Sequence, residues 1–126
     1  PDTIHKLRQL GAEKMVPGRG RALMNATEVK EALDGTQAFT STLFGLVRAG
    51  VARGADLRSI YQETTDKMRP EFGHWVIFDH CMPFNVSRAF DEAQGIDTPR
   101  IWTAERDVEM WRTLEGKEAR DGEVNR

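Results

Sequence analysis

The chain has one cysteine, Cys81, in 126 residues. No internal disulfide can form, and a reducing, cytoplasmic setting is expected. Long hydrophobic runs are also missing: no apolar stretch approaches the roughly 20 residues needed to span a bilayer, so no membrane partner is expected. Residues 1–16 carry charges throughout and lack the apolar segment of a signal peptide. Neither sign of charge dominates. Eighteen Lys and Arg stand against 20 Asp and Glu, a formal net charge of −2, so no pull toward nucleic acid is expected. Internal repeats, heptad seams and low-complexity tracts are absent. At 39% hydrophobic and 30% charged, what remains reads as one globular domain with a modest core.

The sequence opens "PDTIHKLRQLG" without an initiator Met, and helical patterning starts almost at once. The expectation is a piece of a longer protein, with function depending partly on upstream residues. Residues 1–10 fit a short helix capped by Asp2 or Thr3, with Ile4, Leu7 and Leu10 on one face and Gly11 as its stop. Residues 13–16 suit a brief strand before the turn Pro17-Gly18-Arg19-Gly20. From Asn25 or Thr27 as cap, a helix of about 40 Å runs to Arg53 at ~1.5 Å per residue. Its stripe is Val29, Leu33, Phe39, Leu43, Leu46 and Val47, and Gly35, Gly45 and Gly50 read as close-packing or bending points.

Gly54 stops that helix and Asp56 caps the next, which carries Leu57, Ile60, Tyr61, Thr64 and Met68 and should end at Pro70. Residues 74–81 are ambiguous: "WVIF" is strand-like in composition, yet its place between helices favours a helix broken near Pro83. Residues 83–94 read as a helix with Pro83 in its first turn, Val86, Ala89, Phe90 and Ala93 inward, and Gly95 as its stop. Thr103 should cap a last helix bearing Val108, Trp111 and Leu114, with Trp102 placed as a hydrophobic staple. Residues 117–126 hold too little apolar content to pack and are expected to fray. The predicted fold class is mainly α: an αβ unit over 1–24, then a bundle of about four helices over 25–116.

Few residues carry obvious chemistry. Pro17–Gly20 lacks the second half of a phosphate loop, although Arg19 and Arg21 could each pair a carboxylate or phosphate. His74, Asp79, His80 and Cys81 are zinc-ligand types, but His74 and His80 lie six apart and adjacent His80 and Cys81 diverge. Spacing alone therefore assigns no metal ligand, and the two histidines and Cys81 read as core residues. Trp75, Trp102 and Trp111 read as core anchors. Arg100, Arg106 and Arg112, with acids between them, read as solvated helix faces.

Longer matches say more. "LRQLGAEKMVPGRGRAL", a long helix, and "FGHWVIFDHCMPFNVSRAFDEAQGIDTPRIWTAERDVEMWRTLEG" together resemble the C-terminal part of metallo-β-lactamase-fold metallohydrolases with a helical extension. The resemblance covers roughly residues 3–116. It implies that residues 1–24 form the last layer of an α/β sandwich, and that the parent enzyme uses zinc-bound hydroxide on an ester, thioester or amide. The family's H-x-H-x-D-H zinc motif is not in this sequence, so the chain alone is expected to be catalytically incomplete and to hold no cofactor. The family's final ligand commonly comes from a P-G-H-G turn, where this chain has Arg19. A guanidinium has no lone pair for zinc but could steady an oxyanion or a carboxylate.

The resemblance further implies that the helical region covers an active-site mouth or forms a dimer interface, which would put His74, Trp75 and His80 near a small-molecule substrate. The implied partners are the N-terminal half or a second subunit, with a homo-oligomer expected. Two alternatives stay open: a non-enzymatic helical module for oligomerisation, and a small metal-binding domain using His74, His80 and Cys81.

Overall fold

The computed structural model describes residues 2–115. The expectation of a frayed tail at 117–126 lies outside them. The protein is mainly helical: α1 (Asp2–Gln9), α2 (Ala26–Ala52), α3 (Leu57–Phe72), α4 (Phe78–Ala93) and α5 (Ala104–Glu115). Two compact units divide between Thr42 and Leu43, inside α2. No described helix is long and apolar enough to cross a membrane.

In the first unit, Asp2 at the start of α1 and Lys6 and Arg8 near its end complement the helix dipole. Gly11 follows in the left-handed conformation (φ 59°) and donates to the Arg8 carbonyl at 3.1 Å. Ile4 and Leu7 are half-covered, whereas Leu10, expected on the same face, is exposed. The expected αβ unit is not formed. Met15 and Leu23 exchange two backbone hydrogen bonds, of 3.0 and 2.8 Å, in an isolated antiparallel bridge, and no sheet occurs among the described residues. One bridge does not make a strand, because neighbouring backbone groups find no ladder partner. Helix α2 then starts on a well-made cap: Asn25 Oδ1 accepts from the Glu28 amide (3.0 Å), and Glu28 accepts from the Met24 amide (2.7 Å).

The second unit holds the larger core. Helix α3 packs on α4 and α5, and α4 on α5. Val47, Ile60, Met68, Phe72, Phe78, Met82, Val86, Ala89, Met110 and Leu114 are buried within it. Gly54 (φ 73°) ends α2 in a Schellman motif, with Ala55 donating to the Gly50 carbonyl and Gly54 to that of Val51. Gly95 (φ 84°) ends α4 the same way, through Ile96 to Asp91 and Gly95 to Glu92. Asp56 caps α3 by accepting from the Ser59 amide at 2.8 Å.

Both prolines sit deeper in helices than expected. Helix α3 continues through Pro70 to Phe72, which is buried and meets Trp75 edge-on at 5.4 Å. Helix α4 begins at Phe78, so Pro83 is interior and residues 78–82 are helical. Burial of Phe78 and Met82 offsets the hydrogen bond that Pro83 cannot donate. "WVIF" is neither strand nor broken helix: residues 73–77 form a turn, and Phe78 opens α4.

Candidate functional site

The second unit contains a cleft of about 520 Å³ where residues of α3, α4 and α5 meet the segment before α5. Helix α3 contributes Tyr61 and Arg69, and α4 contributes Asp79, His80, Pro83 and Phe84. Trp102, Asp107, Met110, Trp111 and Leu114 complete the wall. The spacing explains the gathering: His80 and Phe84 are one turn apart, as are Asp107 and Trp111, so each pair shares a helix face. The rings form a series, with His80 5.7 Å from Phe84 and Phe84 4.5 Å from Trp102.

Charge is placed around these rings. Arg69 meets Asp79 at 2.8 Å and lies 5.5 Å from the centre of the Phe78 ring. The Asp79 carboxylate raises the Arg69 pKa above its ordinary value. Trp102 Nε1 donates to Asp107 Oδ1 at 3.1 Å, and Arg106 stands 5.4 Å from the Trp102 ring centre. Trp102 therefore occupies the staple position before the Thr103 cap, but its link across the first turn is a hydrogen bond to Asp107. Thr103 Oγ1 accepts from the Arg106 amide at 3.2 Å.

At the α4–α5 connection two arginines converge on the buried Asp91, an ion cluster that sequence reasoning missed. Asp91 is 4% exposed; Arg100 grips it with two nitrogens, and Arg106 approaches at 3.5 Å. Asp91 raises the Arg100 pKa through that contact. The solvated-face reading is therefore corrected for Arg106, whose side chain is only 12% exposed. Alternating charges along a sequence do not reveal which acid points inward; the packing of α4, which buries Asp91, decides it here. Arg88 ties down the same connection by donating to the carbonyls of Ile96 and Asp97. Arg106 joins this cluster to Trp102 in the cleft wall.

The residues singled out from sequence fall in different places. His80 lines the cleft, while His74 and Trp75 lie on the 73–77 turn beside the fully exposed Val76. His74 and His80 are exposed and Cys81 is half-covered, which corrects their reading as core residues. Trp75 and Trp111 are likewise exposed, Trp111 by 48%. Helix α5 turns Arg106, Met110 and Leu114 inward, and this rotation brings Val108 and Trp111 to the surface. Arg19 belongs to the other unit and is exposed on its turn. Its neighbour Arg21 is engaged, donating to both Glu28 oxygens at 3.1 and 3.0 Å.

The described residues do not fit a zinc centre. Among them no group of three or more His, Cys, Asp or Glu side chains could hold a metal ion, and Arg19 has no lone pair to offer. The cleft instead provides aromatic faces, a guanidinium–carboxylate pair and an imidazole, which is chemistry for binding. No protein-family model matches the chain, and no curated protein matches it.

Proposed function

We propose that this chain is the C-terminal part of a metallo-β-lactamase-like hydrolase, catalytically incomplete by itself. The presentation of the 17–20 turn carries this reading. Gly18, Arg19 and Gly20 are exposed between the two ends of the Met15–Leu23 bridge, just ahead of the Asn25-capped helix. That order, a turn closed by a single bridge and then a helical extension, is the one the resemblance implies for the family's ligand-bearing turn and the region after it. In this reading Arg19 replaces a ligand histidine with a fixed positive charge, suited to a substrate carboxylate or a developing oxyanion. Hydrolysis of the ester, thioester or amide would rest on residues upstream of this chain, in a cytoplasmic enzyme. The helices would form a wall of the active-site mouth or a subunit interface.

The coding sequence upstream of Pro1 tests the proposal directly: it should contain H-x-H-x-D-H, and a different upstream domain would defeat it. In the reconstituted parent, Arg19→His should raise metal bound per chain, with unchanged occupancy counting against the assigned role of Arg19. A second reading, a helical oligomerisation module, draws on the exposed apolar side chains Trp75, Val76, Val108 and Trp111. Sedimentation of the 126-residue chain should then give a discrete dimer. A monomer at high concentration would rule this reading out.

A further inference from the structure

We propose that residues 43–115 carry a binding site for a small organic amine, its aromatic body in the Trp102–Trp111 cleft and its ammonium in an adjoining polar cleft over Thr65. The site lies wholly within the second unit and does not rest on the hydrolase reading.

The polar cleft, of about 410 Å³, is lined by Gln62, Thr65 and Asp66 and shares Tyr61, Arg69 and Leu114 with the aromatic one. Thr65 is 7% exposed, and its buried Oγ1 has no hydrogen-bond partner. A buried hydroxyl in a helix ordinarily bonds back to a carbonyl one turn earlier, or finds water or a ligand. Oγ1 is sealed from solvent, so a rotation of the Thr65 side chain toward the cleft would bring it within reach of an ammonium N–H and satisfy it.

Charge selects the sign of the ligand. Among the described residues lining the two clefts, three carboxylates (Asp66, Asp79 and Asp107) face a single guanidinium, Arg69, which Asp79 already holds at 2.8 Å. An anionic ligand would meet that excess of negative charge, whereas a cation is drawn to it. The aromatic walls take the body of the ligand and not its charge, and Trp111 is half-exposed on that cleft. The body of the ligand is flat because Phe84, Trp102 and Trp111 are the surfaces it must cover.

The test is a titration of the 126-residue chain, followed by two-dimensional amide NMR, with 2-phenylethylamine, neutral 2-phenylethanol and anionic 3-phenylpropanoate. The amine should shift the signals of Tyr61, Thr65, Trp102 and Trp111. It should bind at least about tenfold more tightly than the alcohol, with the carboxylate weakest. Equal binding of amine and alcohol, tightest binding of the carboxylate, or no shift at these residues by about 10 mM amine would overturn the proposal. Trp111→Ala alters an exposed side chain and should keep the circular dichroism of the parent while weakening the amine about 2- to 13-fold. Unchanged affinity in that variant would overturn the aromatic half of the site.

Thr65→Val removes the hydroxyl and keeps the shape. It should weaken 2-phenylethylamine but leave its trimethylammonium derivative, which has no N–H, unaffected. Equal effects on the two ligands would overturn the placement of the ammonium.

Discussion

Gly45 and Gly50 lie on the same helix, yet replacing each with alanine should move stability in opposite directions. A Cβ at Gly50 would stand 2.5 Å from Ile60 Cγ1 and 2.9 Å from its Cδ1. Ile60 is buried and has nowhere to swing, so the extra methyl overpacks the contact, at a cost of about 1–3 kcal/mol. Replacing a helical glycine with alanine returns about 1 kcal/mol, leaving Gly50→Ala between neutral and about 2 kcal/mol destabilised. At Gly45 a Cβ would meet nothing within 4 Å, so the helical gain of about 1 kcal/mol stands alone. The two variants should therefore differ by about 1–3 kcal/mol. With a urea dependence of about 2 kcal/mol per molar, their unfolding midpoints separate by about 0.5–1.5 M. Far-UV circular dichroism across a urea series reads this directly. Ile60→Ala removes both offending atoms, so in that background Gly50→Ala should become neutral or stabilising. A midpoint for Gly50→Ala at or above that of Gly45→Ala, with Ile60 intact, would refute the packing argument.

Asp91→Asn should be far more damaging than its single-atom change suggests: it leaves the mostly buried Arg106 without its carboxylate, at about 3–5 kcal/mol. Thermal melts check it, and Arg100→Ala, which removes the half-exposed partner and leaves Asp91 paired with Arg106, should cost less than Asp91→Asn. Acid should weaken the fold through five surface carboxylates. Arg21 holds Glu28 low, Lys30 and Arg8 hold Asp34 low, the Ser59 amide holds Asp56 low, Lys67 leads at Glu63, and the Glu105 amide with the Thr103 hydroxyl holds Glu105 low. Each folded pKa lies below its unfolded one, so the stabilisation is present above about pH 4 and disappears as pH falls through the lowered folded values. Helix content that stays flat down to about pH 2 would contradict this. Asp56→Asn keeps a good cap and should remove that residue's share of the acid sensitivity.

Local chemistry made much of the helical fold legible. Asn25, Asp56 and Thr103 act as caps because short polar side chains satisfy the free amides of a first turn, whatever the helix later packs against. Gly11, Gly54 and Gly95 stop helices because a left-handed residue is needed where the last carbonyls are closed off. The stripe of α2 was readable for a similar reason: Val29, Leu33, Leu43 and Val47 keep helical spacing, and all four are buried. Gly35, Gly45 and Gly50 were all read as close-packing or bending points; Gly50 is a close-packing point, while Gly45 faces open space.

The cleft was much less legible. His80, Trp102 and Trp111 were singled out separately, but their meeting depends on how α3, α4 and α5 pack. The rotation of α5 shows why. Periodicity ranks Val108 and Trp111 with Leu114, yet the helix turns to satisfy the buried Asp91 with Arg106, and the two apolar residues move outward. Pro70 failed as a stop signal, and Pro83 as a first-turn residue, for a related reason, since burial of Phe72 and Met82 outweighs one missing backbone donor.

By itself, then, the sequence determined what depends on neighbours within a turn or two: which segments are helical, where caps and left-handed stops fall, and that Arg19 stands in an exposed glycine turn. Only the tertiary structure decided what depends on contacts between distant residues. It buried Asp91 between two arginines, left Thr65 without a hydrogen-bond partner, and gathered aromatic rings from separate helices around one cleft. Local hydrogen bonds are set by residues a few positions apart, whereas burial is set by whichever helix arrives on the other side.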